Sequence, residues 1–247
     1  MTTSTLPEKY AADHSFQRFP ARPFLWFLRG VIMKIPPLQR FAVDLFANIY
    51  YDSAPFTWDN MSWLGVPCQK FPSDLWIYQE IISEKRPDVV IETGTLHGGS
   101  ALYMANLFDI LGHGRVISID LQLRDDRPQH PRIHYISGFS STAPEVFQQL
   151  EPLLEGTSQR MVILDSDHRK PHVDEELTIY PKYVTPGQYL VVEDSSINGH
   201  PVSCQFGPGP FESIMEFVKA DDRFVIDLKR EKLLVTANKN GFLLRVK

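Results

Sequence analysis

The sequence is poor in cysteine and has no cluster of basic residues. Cys68 and Cys204 are its only cysteines among 247 residues, too few for a disulfide framework or a thiolate metal site. This usage fits a reducing compartment, so we expect a cytoplasmic protein. The formal net charge is −5, and without a basic run the chain offers nothing that would attract nucleic acid. We therefore expect no nucleic-acid partner.

Long apolar runs are also missing. The beginning of the chain lacks a charged region followed by an uninterrupted apolar stretch, so we expect no signal peptide. The most apolar early stretch, residues 24–33, contains Arg29 and is shorter than the ~20 residues of a spanning helix. We expect no transmembrane segment. This stretch could instead lie on a membrane surface, pack against a partner chain or cover the main domain.

The first 60 residues differ from the rest of the chain. Residues 1 to about 20 are polar and lack periodicity, which predicts a loosely ordered arm. Residues 22–49 have helical apolar spacing interrupted by Pro36-Pro37, which predicts two helices joined by a proline elbow. Residues 57–67 fit neither strand nor helix. We assign residues 1–60 to an arm and a helical cover or oligomerisation segment, which favours a homo-oligomer, and residues 61–247 to the main domain.

A strand, a glycine turn and a helix follow one another at residues 88–111. Val89, Val90 and Ile91 predict a strand buried on both faces, as in parallel sheets. Ser100 can cap the helix that follows, and a helix N-terminus attracts negative charge. The turn between them contains Gly94, Gly98 and Gly99, which allow the backbone to approach a ligand. This pattern predicts a cofactor site.

Glu92, at the end of that strand, suggests which cofactor. A carboxylate there would repel a pyrophosphate but suits the amino group and sulfonium of S-adenosylmethionine (SAM). The spacing of the glycines also departs from the dinucleotide fingerprint. A nucleotide-binding oxidoreductase and a merely tight turn remain alternatives at this point.

The remaining chain alternates predicted strands and helices, which indicates one α/β domain with a mostly parallel sheet flanked by helices. Asp120 ends the second strand and can accept hydrogen bonds from a ribose diol. Gly138 and Ser140 lie in the loop after the third strand, which we expect beside the adenine. The further strands are predicted at residues 115–120, 132–136, 161–165 and 189–193, and at 224–228 and 242–246 as an antiparallel edge hairpin. Helices are predicted at residues 73–85, to about 111, and at 142–154, 174–183 and 210–219.

Two later strands end in acidic residues. Asp165 ends the fourth strand, and Glu193 and Asp194 stand at the end of the fifth. If the two strands are neighbours, the three acids lie at the same edge as the glycine turn. Crowded carboxylates repel one another unless a cation lies between them, and hard oxygen ligands favour Mg²⁺. Asp167 is the alternative to Asp165, and helix caps or loop acids are the alternative to a metal site. His168, three residues after Asp165, is placed to accept a proton at neutral pH.

Four motifs together resemble the cephalosporin hydroxylase and rhamnosyl O-methyltransferase family. They are Asp-Leu-Trp-Ile-Tyr-Gln-Glu-Ile at 74–81, Glu-Thr-Gly-Thr-x-x-Gly-Gly-Ser at 92–100, Leu-Asp-Ser-Asp-His at 164–168 and Val-Glu-Asp at 192–194. The resemblance covers the chain from about residue 56 and implies the class I methyltransferase (Rossmann-like) fold with a seven-stranded sheet and an N-terminal helical extension. It further implies SAM and a divalent cation as cofactors.

The resemblance also assigns residues. It implies Asp165, Glu193 and Asp194 as metal ligands, and His168 as the base by analogy with related sugar methyltransferases. It implies cofactor contacts at Glu92, Gly94, Ser100 and Asp120, to which the loop residues Gly138 and Ser140, and Asp165 itself, are added.

We therefore expect a Mg²⁺-dependent O-methyltransferase that acts on a hydroxyl of a sugar, glycolipid or polysaccharide, of mannose or rhamnose type. One alternative is a natural-product hydroxylase or O-methyltransferase of the cephalosporin hydroxylase type. Another is an iron site of His172, Asp174 and His200, in the pattern of a non-haem triad. The third is a binding protein that has kept the fold.

Overall fold

The computed structural model describes residues 22–247, so the predicted arm of residues 1 to 20 lies outside the described residues. The chain divides into two compact units, and the boundary along the chain lies between Val43 and Asp44. Helix α1 spans Arg22–Ile32, and helix α2 spans Pro36–Asp52 and continues into the second unit. The proline elbow is confirmed, because the two prolines begin α2, where a missing backbone N–H costs nothing. Within the described residues, no helix is long and apolar enough to span a bilayer.

The second unit contains a seven-stranded sheet with the order β5-β4-β3-β6-β7-β9-β8. Its strands are β3 (Val89–Thr93), β4 (Arg115–Asp120), β5 (Ile133–Ser137), β6 (Arg160–Leu164), β7 (Tyr189–Val192), β8 (Phe224–Ile226) and β9 (Phe242–Arg245). A separate small hairpin precedes them, formed by β1 (Ser62–Trp63) and β2 (Val66–Pro67). The helices of this unit are α3 (Pro72–Lys85), α4 (Gly99–Leu111), α5 (Pro144–Leu153), α6 (Lys170–Ile179) and α7 (Pro210–Ala220).

The pairing of the strands confirms the predicted fold. Strands β3 to β7 are parallel, and β9 pairs antiparallel with both β7 and β8. The chain builds outward from β3 to β5 and then returns to place β6 on the other side of β3. In open parallel sheets, ligands bind beyond the carboxyl ends of the strands at such a switch point. Here the register pairs Thr93 with Leu164, so Gly94 and Asp165 leave the sheet side by side.

Alternate strand residues fill two cores, one on each face of the sheet. Val90 of β3 packs in a core with residues of α3 and α4, such as Ile81 and Met104. Ile91, the next residue, lies in the opposite core with residues of α5 to α7, such as Leu150. Both faces are therefore covered, which explains why the central strands are apolar without interruption.

The segment of residues 57–67 contains more regular structure than predicted. It forms a short 3₁₀ helix at Trp58–Asn60 and the β1–β2 hairpin. Leu64 and Gly65 make the hairpin turn with φ values of 49° and 86°, the positive values that a two-residue turn needs. Trp63 fixes the hairpin on α4 by donating from Nε1 to Asn106 Oδ1 at 2.8 Å. The prediction of no strand here was wrong, because the Leu64-Gly65 turn pairs two short strands and α4 holds the hairpin in place.

The predicted cap of α4 was also wrong. Gly98, not Ser100, is the N-cap of α4, and its φ of +80° suits glycine. Helix α3 begins after Phe71 without a side-chain cap. Asp74, in the first turn of α3, is buried and accepts hydrogen bonds from the Ala237 amide at 2.8 Å and from the Thr236 hydroxyl. A distant loop thus satisfies this carboxylate.

Candidate active site

A cavity of ≈ 680 Å³ lies at the carboxyl ends of the parallel strands. Its volume is in the range of pockets that hold small ligands and cofactors. Two of the predicted site residues, Glu92 and Gly138, are not among its lining residues. The predicted residues that do line it are Gly94, Ser100, Asp120, Ser140, Asp165, Asp167, His168, Glu193 and Asp194.

The turn after β3 requires glycine for two reasons. Gly94 has a φ of +84°, which L side chains rarely adopt, and a Cβ there would lie 1.8 Å from the carbonyl oxygen of Asp165. Its amide donates to the Ile119 carbonyl at 2.8 Å and so fastens the turn to β4. The backbone of this turn therefore lines the cavity directly, without a side chain between it and a ligand.

Asp120 is held in place at the end of β4. It accepts hydrogen bonds from the amides of Leu96 at 2.7 Å and Gln122 at 2.6 Å. Arg127 lies behind it, with Nη2 3.2 Å from the carboxylate, and is itself anchored by Nη1, which donates to Ser137 Oγ at 2.7 Å. This fixed carboxylate at the cavity wall is suited to accept hydrogen bonds from a diol.

Glu92 and Gly138 support the site from outside the cavity. Glu92 is fully buried and accepts a hydrogen bond from Ser118 Oγ at 2.6 Å, while its Oε1 has no hydrogen-bond partner among the described residues. Burial raises the pKa of this carboxyl, and Lys70 opposes the shift. Gly138 forms the turn after β5 and donates its amide to the Asp120 carbonyl at 3.0 Å. Direct cofactor contact by either residue stays a prediction.

Lys70 forms ion pairs with two of the three predicted metal-binding carboxylates. Its ammonium pairs with Asp165 and lies 2.7 Å from Glu193 Oε2. The other oxygen of Glu193 accepts from the Tyr78 hydroxyl at 2.6 Å, and Asn238 donates to that hydroxyl oxygen at 3.0 Å. Both oxygens of Glu193 are therefore engaged by the protein.

The pKa shifts of Lys70, Asp165 and Glu193 agree with the ion pairs that these residues form. Burial raises the pKa of Asp165 and of Glu193, repulsion among the carboxylates adds to the shift, and Lys70 opposes it. Burial alone would lower the pKa of Lys70, but the two carboxylates outweigh it and hold that pKa well above its usual value. The lysine is therefore charged at neutral pH. Its positive charge offsets the repulsion between the two buried carboxyl groups.

A second arrangement of ligand atoms lies beside the lysine pair. Asp165, His168 and Asp194 can each place one ligand atom within 4.8 Å of the others, and residues 22–247 contain no other such group of three. His168 Nε2 lies 3.1 Å from Asp194 Oδ2. Asp194 has a φ of +53°, and its amide is held by Asn238 Oδ1 at 3.2 Å. The structure thus groups two predicted metal ligands with the predicted base, whereas Glu193 as a ligand stays a prediction.

Asp167 has a different partner. Its carboxylate accepts hydrogen bonds from the side chain and the backbone amide of Arg169, and these hydrogen bonds lower the pKa of Asp167 to about 2. It lines the cavity but does not belong to the group of three ligand residues.

The residues of the alternative iron site are separately engaged. His172 contacts the hydroxyls of Ser141 at 3.0 Å and Ser166 at 2.9 Å. Asp174 pairs with Lys170, and His200 pairs with Glu212. Among the described residues, these three do not form a metal-binding group.

Four residues of the site escaped the sequence analysis: Lys70, Tyr78, Arg127 and Asn238. Tyr78 lies within the motif at residues 74–81, so that motif was a signal for it. The other three stand in loops, where no local pattern distinguishes a buried partner from a solvated side chain.

Comparison with known proteins places these features in a family. The profile of the family described as rhamnosyl O-methyltransferase/CmcI matches residues 55–246. A rhamnosyl O-methyltransferase of Mycobacterium leprae is 41% identical over 202 residues, covering 79% of this chain and 87% of that protein. One of Mycobacterium tuberculosis is 39% identical over 206 residues, covering 79% and 82%.

Solved structures agree on the fold. An apo-structure of CmcI superposes with a TM-score of 0.60 at 21% identity, covering 76% of this chain and 77% of that chain. A CmcI structure whose name includes Mg and SAM gives a TM-score of 0.59 at 19% identity, covering 76% and 78%. With the family match, the 41% identical relative and the shared fold, the chain belongs to the rhamnosyl O-methyltransferase/CmcI family and is an O-methyltransferase.

Proposed function

We propose that this O-methyltransferase transfers the S-methyl group of SAM to a hydroxyl of a sugar, with Mg²⁺ bound at the ends of β6 and β7. The observation that carries the proposal is the grouping of Asp165, His168 and Asp194 in the cavity that the Gly94 turn also lines. The family match over residues 55–246 supports an assignment of this activity to the second unit.

The residues fit both cofactors. Asp165 and Asp194 offer the hard oxygen ligands that Mg²⁺ prefers, and Glu193 lies next to them. The Gly94 turn and the fixed carboxylate of Asp120 suit a nucleoside with an intact ribose diol. When bound, SAM supplies an electrophilic methyl group, and a divalent cation makes an adjacent hydroxyl more acidic. The name of the CmcI structure with Mg and SAM supports this pairing of cofactors in the family.

His168 would take the proton of the acceptor hydroxyl. If Nε2 donates to Asp194 Oδ2 across the 3.1 Å contact, the lone pair of the ring is at Nδ1, which we assign as the proton acceptor. Asp194 then orients the ring and stabilises the imidazolium that forms. Alignment of acceptor and methyl donor in one cavity provides the remaining acceleration.

The acceptor we propose is a sugar of rhamnose type. The names of the mycobacterial relatives support a rhamnosyl acceptor. Tyr51, Trp58 and Phe206 line the same cavity as the carboxylates, and aromatic rings suit the apolar face of a sugar. The rings of Tyr51 and Trp58 stack with centroids 5.5 Å apart, and both residues line the cavity.

The test is incubation with methyl-labelled SAM and a panel of rhamnosides, mannosides and non-sugar alcohols, with MgCl₂ or with EDTA. We expect label in a rhamnoside or mannoside, lost in EDTA and restored by Mg²⁺. Asp194→Asn should abolish transfer, whereas Asp125→Asn, at an exposed position, should not. Transfer that is unaffected by EDTA would refute the role of the metal, and label only in non-sugar alcohols would refute the acceptor.

A further inference from the structure

Helix α1 carries an exposed apolar face that the proposed reaction does not use. Phe24, Phe27, Leu28 and Val31 recur at helical spacing and so share one face of the helix. The side chains of Phe24 and Phe27 are 64% and 65% exposed. Monomeric soluble proteins rarely expose contiguous apolar patches of this kind without an interaction partner.

The charge of the same segment is of one sign. Residues 22–43 contain four basic residues and no aspartate or glutamate, although the whole chain has a net charge of −5. Arg29 stands two positions from both Phe27 and Val31, which places it on the side of α1 opposite the apolar face. Lys34 and Arg40, which follow, are exposed.

Trp26 stands three positions before Arg29, on the same side of the helix, and is 75% exposed. An indole combines an apolar ring with a polar N–H, and tryptophan therefore prefers the boundary between hydrocarbon and water. A short helix with an apolar face, a cationic side and an exposed tryptophan is typical of helices that lie in a membrane interface.

We propose that α1 docks on the surface of a bilayer that contains anionic phospholipids, with Phe24, Phe27, Leu28 and Val31 inserted among the acyl chains. The cations of residues 22–43 pair with the lipid headgroups. The four basic residues of the segment and its lack of any aspartate or glutamate complement anionic headgroups, and this complementarity is why we name a bilayer as the occupant. Docking of this kind is reversible, since one short helix buries a limited apolar area.

The experiment is cosedimentation of the full chain with vesicles of phosphatidylglycerol and phosphatidylcholine, or of phosphatidylcholine alone, together with the emission of tryptophan. We expect binding to the anionic vesicles, a blue shift of the emission, and release by high salt. Phe27→Glu should weaken partitioning at least tenfold. Arg29→Gln should weaken it about fivefold, the share of one cation near an anionic surface.

Ile110→Glu on α4 is the matched control, because Ile110 is 82% exposed and lies outside the proposed surface. It should bind vesicles as the wild type does, and all three variants should keep methyltransferase activity in solution. The proposal is overturned if the wild type does not bind anionic vesicles, or if Phe27→Glu and Ile110→Glu weaken binding equally. It is also overturned if Phe27→Glu dissociates an oligomer in sedimentation velocity while vesicle binding is unchanged.

Discussion

Lys70 Nζ lies 2.7 Å from Glu193 Oε2, and this buried ion pair joins the segment before α3 to the end of β7. The same ammonium pairs with Asp165 at the end of β6. One lysine therefore connects the two strand ends that carry the predicted metal ligands. Removal of one partner from a buried ion pair is costly mainly because it leaves the other charge without compensation.

Lys70→Met should lower the free energy of unfolding by about 3–5 kcal/mol in EDTA, because two buried carboxylates lose their cation. Urea unfolding at neutral pH measures this loss. Added MgCl₂ should recover part of it, since a divalent cation would neutralise the same oxygens. Lys219→Met, at an exposed position of α7, is the control and should change stability by less than about 0.5 kcal/mol. A Lys70→Met protein as stable as the wild type in EDTA would contradict the pairing.

His168→Ala should lower kcat by about 10²- to 10⁴-fold, the usual contribution of a positioned general base. SAM affinity, measured by calorimetry, should be nearly unchanged because the change leaves the Gly94 turn and Asp120 intact. His134→Ala, at an exposed position of β5, is the matched control and should keep full turnover. Near-full turnover of His168→Ala would remove this residue from the reaction.

Gly94→Ala should prevent SAM binding and lower the melting temperature strongly. The added Cβ would meet the Asp165 carbonyl, and the φ of +84° adds backbone strain. Gly112→Ala separates the two effects, because Gly112 has a φ of +64° but open space around its Cβ position. We expect this control to lose only about 1 kcal/mol and to bind SAM normally. Equal losses in the two variants would show that strain, not the close approach, determines the effect.

Asp74 should make stability depend on pH. Burial raises the pKa of its carboxyl from 3.8 to about 7, against the hydrogen bonds from Thr236 and Ala237. A group with a higher pKa in the folded protein takes up a proton on folding, so its contribution falls as the pH rises from about 4 to 7 and then levels off. The slope is at most about 1.4 kcal/mol per pH unit.

The measurement for Asp74 is the difference in urea stability between wild type and Asp74→Asn across that pH range. Because asparagine does not ionise, the wild type should lose stability relative to the variant as the pH rises. Asp125→Asn, at an exposed position, should show no such trend. A difference that stays constant from pH 4 to 8 would mean that Asp74 titrates normally.

The sheet was predictable because its signals are local. Runs such as Val89–Ile91 and Val116–Ile119 are buried on both faces of the sheet. Their composition alone predicts central strands. The glycine turn could be located for the same reason, since the strand before it and the helix after it fix where the backbone must bend. The meeting of Asp165 with Asp194 followed from the parallel order of β6 and β7.

The partners of the acidic residues were not predictable. Glu92 accepts a hydrogen bond from Ser118, its partner on β4, and this contact depends on strand register. Asn238 holds both Tyr78 and Asp194 from a loop 44 or more positions away in the chain. No window of sequence contains both ends of such a contact, so only the folded chain reveals it.

The loop that leads into β9 has a consequence for how the enzyme is made. Thr236 and Ala237 satisfy Asp74, and Asn238 supports Tyr78 and Asp194. A ribosome reaches these residues only after it has already synthesised all five parallel strands. The nascent polypeptide can therefore pair most of its sheet early, but methyl transfer must await translation of residues 236–245, which complete the framework behind the carboxylates.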